Sequence, residues 1–405
     1  MAKYFVLIFL LFGFFLRFSL ASFAPEKFIW DMETYREAAH EILSGRLYAE
    51  CCNHNAGYGL FVAGVFSLFG RDNLWALRIV QIVIDLLNAL LIYEIATSVF
   101  GRRIASVSYI LYIFNPITAS YAGMMMPEVV TIFLIALVAY IVSRKSFANN
   151  HWLWLSFGLS LGGLLLTRIA FYYFIFIIMG IIAIIKCKGI AKFFCIVVSL
   201  LGFFIISAYS LLSYNTTYGV WSLTPPYSLG SAGLYLNFYT DYRYPELIRD
   251  FPNFNPEYAR MVEEYYATPL LKKKEFNKRY RALFNQKMKK DWPFFMGNIM
   301  RNAIWMWDKK SLYTYEDPFY PRDTFILRIF NIGVFAFFVV GMLKYSIKKL
   351  RKSMVQPIFV YSVLLFFYIT FAFTIVSNET RHSLPFYPLL FLWAGYGIGK
   401  FIYGN

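Results

Sequence analysis

The sequence predicts an all-α polytopic membrane protein of about ten spanning helices, and three observations carry that expectation. Only 15% of its 405 residues are charged and 59% are hydrophobic, where soluble domains average about 25% charged. Apolar runs of membrane-spanning length, about 20 residues, recur along the chain. The basic residues cluster in short loops between those runs, where they set orientation. That placement also accounts for the net charge of +16 without a nucleic-acid partner. Aromatic residues reach 21%, which suits lipid-facing and interfacial surfaces.

The first run, residues 4–24, competes with a signal peptide that would use Lys3 as its basic start. Its length and the lack of a clear small-residue cleavage site favour a retained helix. Arg17 interrupts it and is expected to snorkel to the headgroups, with phosphate binding as the alternative. Residues 25–56 are polar, and Tyr35, Ala38, Ala39, Ile42 and Leu43 recur at helical spacing before Gly45. This pattern predicts an amphipathic helix on the membrane surface. Residues 57–70 are apolar but too few to cross a hydrocarbon core about 30 Å thick.

Leaving 57–70 out of the count places further helices at 74–99, 104–119, 127–143, 152–167, 169–185, 190–213, 325–344, 355–377 and 384–402. Arg102-Arg103, Arg144-Lys145, Lys186 to Lys192 and Lys344 to Lys352 then share the inner side with the N-terminus. Counting 57–70 as a span would send three of these groups outside. The chain therefore divides into an N-terminal membrane module (1–213) with a first outer loop (25–73), an outer segment (214–324) and a C-terminal membrane part (325–405). In the outer segment, Phe276, Tyr280, Leu283, Phe284 and Met288 share one face of a basic stretch, which reads as an interfacial helix closed by Asp291-Trp292-Pro293.

This topology gathers several polar spots on one outer face. Asp31 and Glu33 form the first: one carboxylate acts as a general base, or the pair shares a divalent cation, or both merely complement a helix start. Glu128 follows Pro127 at the head of an uncharged helix, where an acid also suits the macrodipole. Arg168 sits in a tight turn between apolar runs, and an outward arginine there fits either an anionic partner or headgroup anchoring. Glu379, Arg381 and His382 precede Pro385 and Pro388, and this group either neutralises a phosphate or pairs internally. Within the membrane, Arg78, Asp85, Asn88 and Glu94 lie on one predicted helix, where structural pairing competes with a proton path. The four histidines have no metal-ligand spacing, so a zinc site built by His54 and His382 approaching Asp31 in space is the minor alternative, and the four cysteines imply no disulfide framework, since Cys51 and Cys52 are adjacent.

Asp31-Met32-Glu33-Thr34-Tyr35 with Ala38 and Gly45, Tyr58 to Phe69-Gly70, Asn115-Pro116, Met126-Pro127-Glu128, Leu166-Thr167-Arg168 and Glu379 to Pro388 follow one another in an order that resembles the C-type (GT-C) glycosyltransferases. The chain is similar to the protein O-mannosyltransferase and lipid A aminoarabinose transferase group. That resemblance implies a GT-C-like fold, a polyprenyl-phosphate sugar donor and inverting transfer to a lipid, glycan or protein acceptor. The active site would face the non-cytoplasmic side of an inner or plasma membrane. It implies Asp31 as base, Glu128 at the sugar or acceptor, and Arg168, Arg381 and His382 at the departing phosphate. Glu33, Tyr35, Tyr58 and Glu379 complete the substrate-binding set, and no metal site is implied. Two other classes compete: a flippase or transporter of lipid-linked sugars, with key groups at mid-membrane near Asp85, and a polysaccharide polymerase or ligase.

Overall fold

A computed structural model describes residues 2–29, 31–228, 234–235, 256–309, 312, 325–350, 356–376 and 380–404. Among the described residues the secondary structure is helical throughout. The N-terminal half contains α1 (Ala2–Ser22), α2 (Asp31–Leu43), α3 (Gly57–Phe69), α4 (Leu74–Phe100), α5 (Arg102–Ile113), α6 (Pro116–Tyr121), α7 (Glu128–Ser143) and α8 (His151–Thr167). It continues with α9 (Tyr172–Lys186), α10 (Ala191–Tyr218), α11 (Pro256–Ala267), α12 (Lys273–Trp307), α13 (Phe325–Leu350), α14 (Pro357–Tyr368) and α15 (Tyr387–Ile402).

Among the described residues five stretches are long and apolar enough to cross a membrane: Tyr4–Ser22, Leu74–Phe100, Ile169–Lys186, Ala191–Tyr218 and Phe325–Ile347. Others of the expected helices are shorter or divided, and local chemistry shows why for one of them. The expected helix 104–119 is two helices, because Pro116 has no N–H to continue α5 and disfavours helical backbone at Asn115. Asn115 caps α6 instead, its side chain accepting from the Ile117 amide at 3.1 Å. Gly57–Phe69, Glu128–Ser143, His151–Thr167 and Pro357–Phe373 are shorter apolar helices. With 13 residues, α3 is about 20 Å long, so it remains a non-spanning element in length. The surface helix expected after residue 30 is present as α2, and it ends where Gly45 turns to a φ of 81°.

The core runs around α15, which is buried on all sides from Tyr387 to Gly395. A helix apolar around its whole circumference belongs at the centre of a bundle, and α15 packs on α13, α5 and α4. On the other flank α8 lies along α10 at backbone contact: a Cβ at Gly158 would sit 2.0 Å from the Ser199 carbonyl oxygen. Small residues of this kind let membrane helices approach closely.

Three expectations need correction. Arg17 does not reach the headgroups; it is fully buried, its Nε donating to Asp85 Oδ2 at 2.6 Å and its Nη1 to the carbonyls of Gly13 and Ile113 at 3.1 and 3.0 Å. Tyr112 donates its hydroxyl to the other Asp85 oxygen. Asp85, buried on α4, partners Arg17 where a low-dielectric interior offers its guanidinium no water. Second, Asp291-Trp292-Pro293 kinks α12 rather than closing it. Asp291 leaves the helical region (φ −123°, ψ 28°) and the helix resumes to Trp307. The face of α12 that carries Phe276 and Tyr280 packs against Tyr227, Met261 and Tyr265 rather than lipid. Third, Cys51 and Cys52 are joined in a disulfide. It links neighbours and crosslinks no two elements, so the absence of a disulfide framework stands although the pairing was not expected.

Breaking the Arg17–Asp85 pair from one side leaves an uncompensated buried charge. Arg17→Met or Asp85→Leu alone is expected to destabilise by ~3–5 kcal/mol, and the double variant by much less. Thermal unfolding of the four proteins in one detergent checks this.

Candidate active site

Four helix ends meet at one place: the start of α2, the starts of α7 and α15, and the end of α8. Asp31 is the first residue of α2 and Glu128 the first of α7, where an acid complements the helix dipole. Arg168 follows α8 in extended backbone (φ −144°, ψ 112°). Arg381 and His382 lie in a 3-10 turn, Thr380–Phe386, that leads into α15.

Arg381 is the hub. Its Nη2 donates to Asp31 Oδ2 at 2.8 Å, its Nε stands 3.9 Å from Glu128 Oε1, and its Nη1 reaches the Met126 sulfur at 3.7 Å. Arg168 donates through Nη2 to the same Glu128 oxygen. Guanidinium forks suit such shared carboxylates. Exposure falls across the cluster, from 27% for the Asp31 side chain to 10% for Arg168, 9% for Arg381 and none for Glu128. The Asp31 side is therefore the wet side. Among the described residues Glu128 Oε2 has no hydrogen-bond partner although it is buried. His382 is buried too, its ring 5.1 Å from Phe373 in the π-helical turn Ile369–Phe373.

The tyrosines hold this arrangement. Tyr35 packs edge-on against Tyr58 (4.8 Å, 81°) and against His54 (5.2 Å, 73°). Burial pushes the Tyr35 hydroxyl well above the ordinary phenol range, and the Asp31 and Glu128 carboxylates push it further, so it stays protonated beside them. Tyr58 is fully buried and donates to Gln81 Oε1 at 2.7 Å. Gln81 in turn donates to the carbonyls of Ala122 and Met124 at 3.1 and 2.7 Å, which fixes the turn before Glu128. Tyr58 thus shapes the site from behind.

The structure does not bring Glu33 to Asp31. Two residues apart on a helix point in nearly opposite directions, and Glu33 accepts from Arg36 Nη1 at 2.9 Å instead. Arg36 also forks onto both oxygens of Asp72 at 3.0 Å, and His40 Nε2 stands 2.7 Å from Asp72 Oδ1. The Arg36 guanidinium holds the Asp72 carboxyl below the usual carboxylate range. This group latches α2 to the turn before α4. No group of three His, Cys, Asp or Glu side chains suited to a metal occurs among the described residues. Glu379 lies outside the described residues, as does Trp30 beside Asp31.

His54, whose approach to Asp31 the sequence offers only as a zinc site, has Nε2 3.9 Å from Asp31 Oδ1. Sequence reasoning missed two participants. Glu50 holds the His54 Nδ1 at 3.1 Å, and its separation from Asp31 in sequence hid it. Lys309 is buried, and burial pushes its ammonium well below the usual lysine range, against the opposing pull of Asp308 and Glu128. No motif marks it.

Residues 53–211 match a family model described as dolichyl-phosphate-mannose-protein mannosyltransferase. No curated protein matches the sequence. The solved structure of the Archaeoglobus fulgidus oligosaccharyltransferase in its apo form aligns over 98% of this chain and 50% of its own, at 15% identity and a TM-score of 0.55. The archaeal oligosaccharyltransferase AglB from the same organism, in complex with an inhibitory peptide and a dolichol-phosphate, aligns over the same shares at 14% identity and a TM-score of 0.52. The chain has the fold of the C-type glycosyltransferases. It spans about half the length of those oligosaccharyltransferases. ArnT from Cupriavidus metallidurans bound to undecaprenyl phosphate aligns over 99% of this chain and 79% of its own, at 13% identity and a TM-score of 0.41. The family match contains His54, Tyr58, Glu128 and Arg168, while Asp31 and Arg381 reach the same cluster from outside it.

Arg168 and Glu128 should prove strongly coupled. Arg168→Leu and Glu128→Gln are each expected to lower stability, and the double variant to lose less than their sum by ~2–4 kcal/mol. A double-mutant cycle on thermal unfolding in detergent measures that coupling.

Proposed function

We propose that this protein is a membrane glycosyltransferase of the GT-C class. It moves a sugar, with inversion, from a polyprenyl-phosphate donor to an acceptor hydroxyl on the non-cytoplasmic face. The observation that carries the reading is the single guanidinium of Arg381, which touches Asp31 on its wet side and Glu128 on its sealed side. A lipid donor and a watery acceptor need such a boundary.

In this mechanism Asp31 takes the proton of the acceptor hydroxyl as that oxygen bonds to the anomeric carbon. The bond from that carbon to the phosphate oxygen breaks, and the phosphate leaves with the electron pair. Its negative charge grows in the transition state, so fixed cations stabilise that state more than the ground state. Arg168 and Arg381 fill this role, with His382 beside them. Glu128 holds both guanidiniums in place and has one carboxylate oxygen left for the sugar or acceptor. Tyr35, protonated and between the acids, lines the acceptor side. Glu33 acts through the Arg36–Asp72 latch instead of touching substrate, and Tyr58 acts through the Gln81 turn. The family model's lipid-phosphate mannose and the dolichol-phosphate of the archaeal complex both support a polyprenyl-phosphate donor.

Asp31→Asn is expected to lower transfer from labelled polyprenyl-phosphate sugar by about 10²–10⁴-fold, with donor binding retained. The assay follows label leaving the lipid fraction of membranes. Full turnover in Asp31→Asn would remove Asp31 as the base.

A further inference from the structure

We propose that His54, oriented by Glu50, is a positioning residue that accepts the proton from Asp31 and returns the base to its working form. The proposal rests on the reading of Asp31 as base.

The two oxygens of Asp31 face different partners. Oδ2 receives Arg381 Nη2 at 2.8 Å, whereas Oδ1 faces His54 Nε2 at 3.9 Å. A separation of 3.9 Å exceeds a direct hydrogen bond, but catalytic contacts are commonly long before substrate binds and tighten afterwards. On the far side of the ring, Nδ1 lies 3.1 Å from Glu50 Oε2. A carboxylate there accepts Nδ1–H and so leaves the Nε2 lone pair aimed at Asp31.

Several contacts hold this chain. The Glu50 carboxylate also accepts the backbone amides of Asn53, at 3.1 Å, and of His54. Next to the ring, Asn55 is buried, donating to the Leu165 carbonyl at 2.9 Å and accepting from the Tyr214 hydroxyl at 2.7 Å. At Gly57 the loop meets α8 so closely that a Cβ would lie 2.5 Å from the Leu166 carbonyl carbon. Tyr35 closes the ring's other face. Glu50 and Tyr35 thus hold the ring, Asn55 and Gly57 hold its loop, and the ring belongs to the part-exposed edge: its side chain is 22% exposed and that of Glu50 19%.

The proton balance is complete. Transfer puts one proton on Asp31 Oδ1 for each new glycosidic bond, and Arg381 cannot take it. His54 Nε2 accepts that proton and becomes imidazolium between two carboxylates. It then releases the proton to water at the exposed edge, leaving Asp31 ionised for the next acceptor.

The experiment uses the full chain in membranes with labelled polyprenyl-phosphate hexoses and pentoses, keeping the donor that the unsubstituted protein turns over. His54→Ala is expected to lower kcat by about 10²-fold, with donor KM changed less than twofold and turnover partly restored by added imidazole. Glu50→Gln is expected to lower kcat by about tenfold with the same donor KM. Thermal unfolding of both variants reports their folding independently. Loss of turnover that imidazole does not restore, a raised donor KM at unchanged kcat, or full turnover in either variant overturns the proposal. Full turnover in Asp31→Asn would instead defeat the base assignment, whatever His54 does.

Discussion

One guanidinium ties the outer end of the bundle together. Arg381 lies 350 residues from Asp31 in sequence, yet their side chains meet at 2.8 Å, with Glu128 also in reach. The contact joins the start of α2, the start of α7 and the turn into α15, and Arg168 adds the end of α8 through Glu128. Charged groups this poorly exposed are stable only when paired. The sealed acid at Glu128 therefore needs a cation, two guanidiniums reach it, and the elements that carry them converge. The site's geometry and the register of four helices follow from the same ion pairs.

The same rule governs the interior. Arg78 sends its guanidinium to the carbonyls of Ala24, Pro25 and Gly123, where the chain leaves α1 and prepares to enter α7. Gln81 does likewise for Ala122 and Met124, one turn along α4. Carbonyls at a helix end have no partner within the helix, and a low-dielectric surround supplies none. Side chains of α4 thus cap the loops that place Asp31 and Glu128, so a helix that contributes no group to the cluster still sets its dimensions.

Much of this was legible in the sequence. Charge-poor runs mark the helices, and the positive-inside pattern groups Asp31, Glu128, Arg168 and Arg381 on one face before any contact is known. In the structure the four side chains meet in one cluster. What stayed hidden depends on rotation and on partners far away. Asp31 and Glu33 read as a pair, but helical twist turns Glu33 to Arg36 and Asp72. Arg17 read as a headgroup anchor because its partner is 68 residues away on α4. Pro116 ends a helix inside the single run expected over 104–119, and the kink at Asp291 looks identical to a stop until the backbone resumes. The approach of His54 to Asp31 was open from the sequence, but Glu50, which orients its ring, carries no signal there.

The two buried acids separate the functional classes that compete for a fold like this. Asp85, deep in the bundle, has both oxygens engaged by Arg17 and Tyr112, and the pair is sealed from water. A transport path through Asp85 would have to break that pair at every cycle, at the cost of exposing a charge to the core. Glu128 is as deeply buried, but one of its oxygens has no partner among the described residues and its cations are shared with the half-open Asp31. An unmet acceptor is costly to keep, and in the proposed mechanism the sugar or acceptor would meet it. On that proposal ligand chemistry sits at the helix ends, while the Arg17–Asp85 pair, with no exposed surface, serves the architecture.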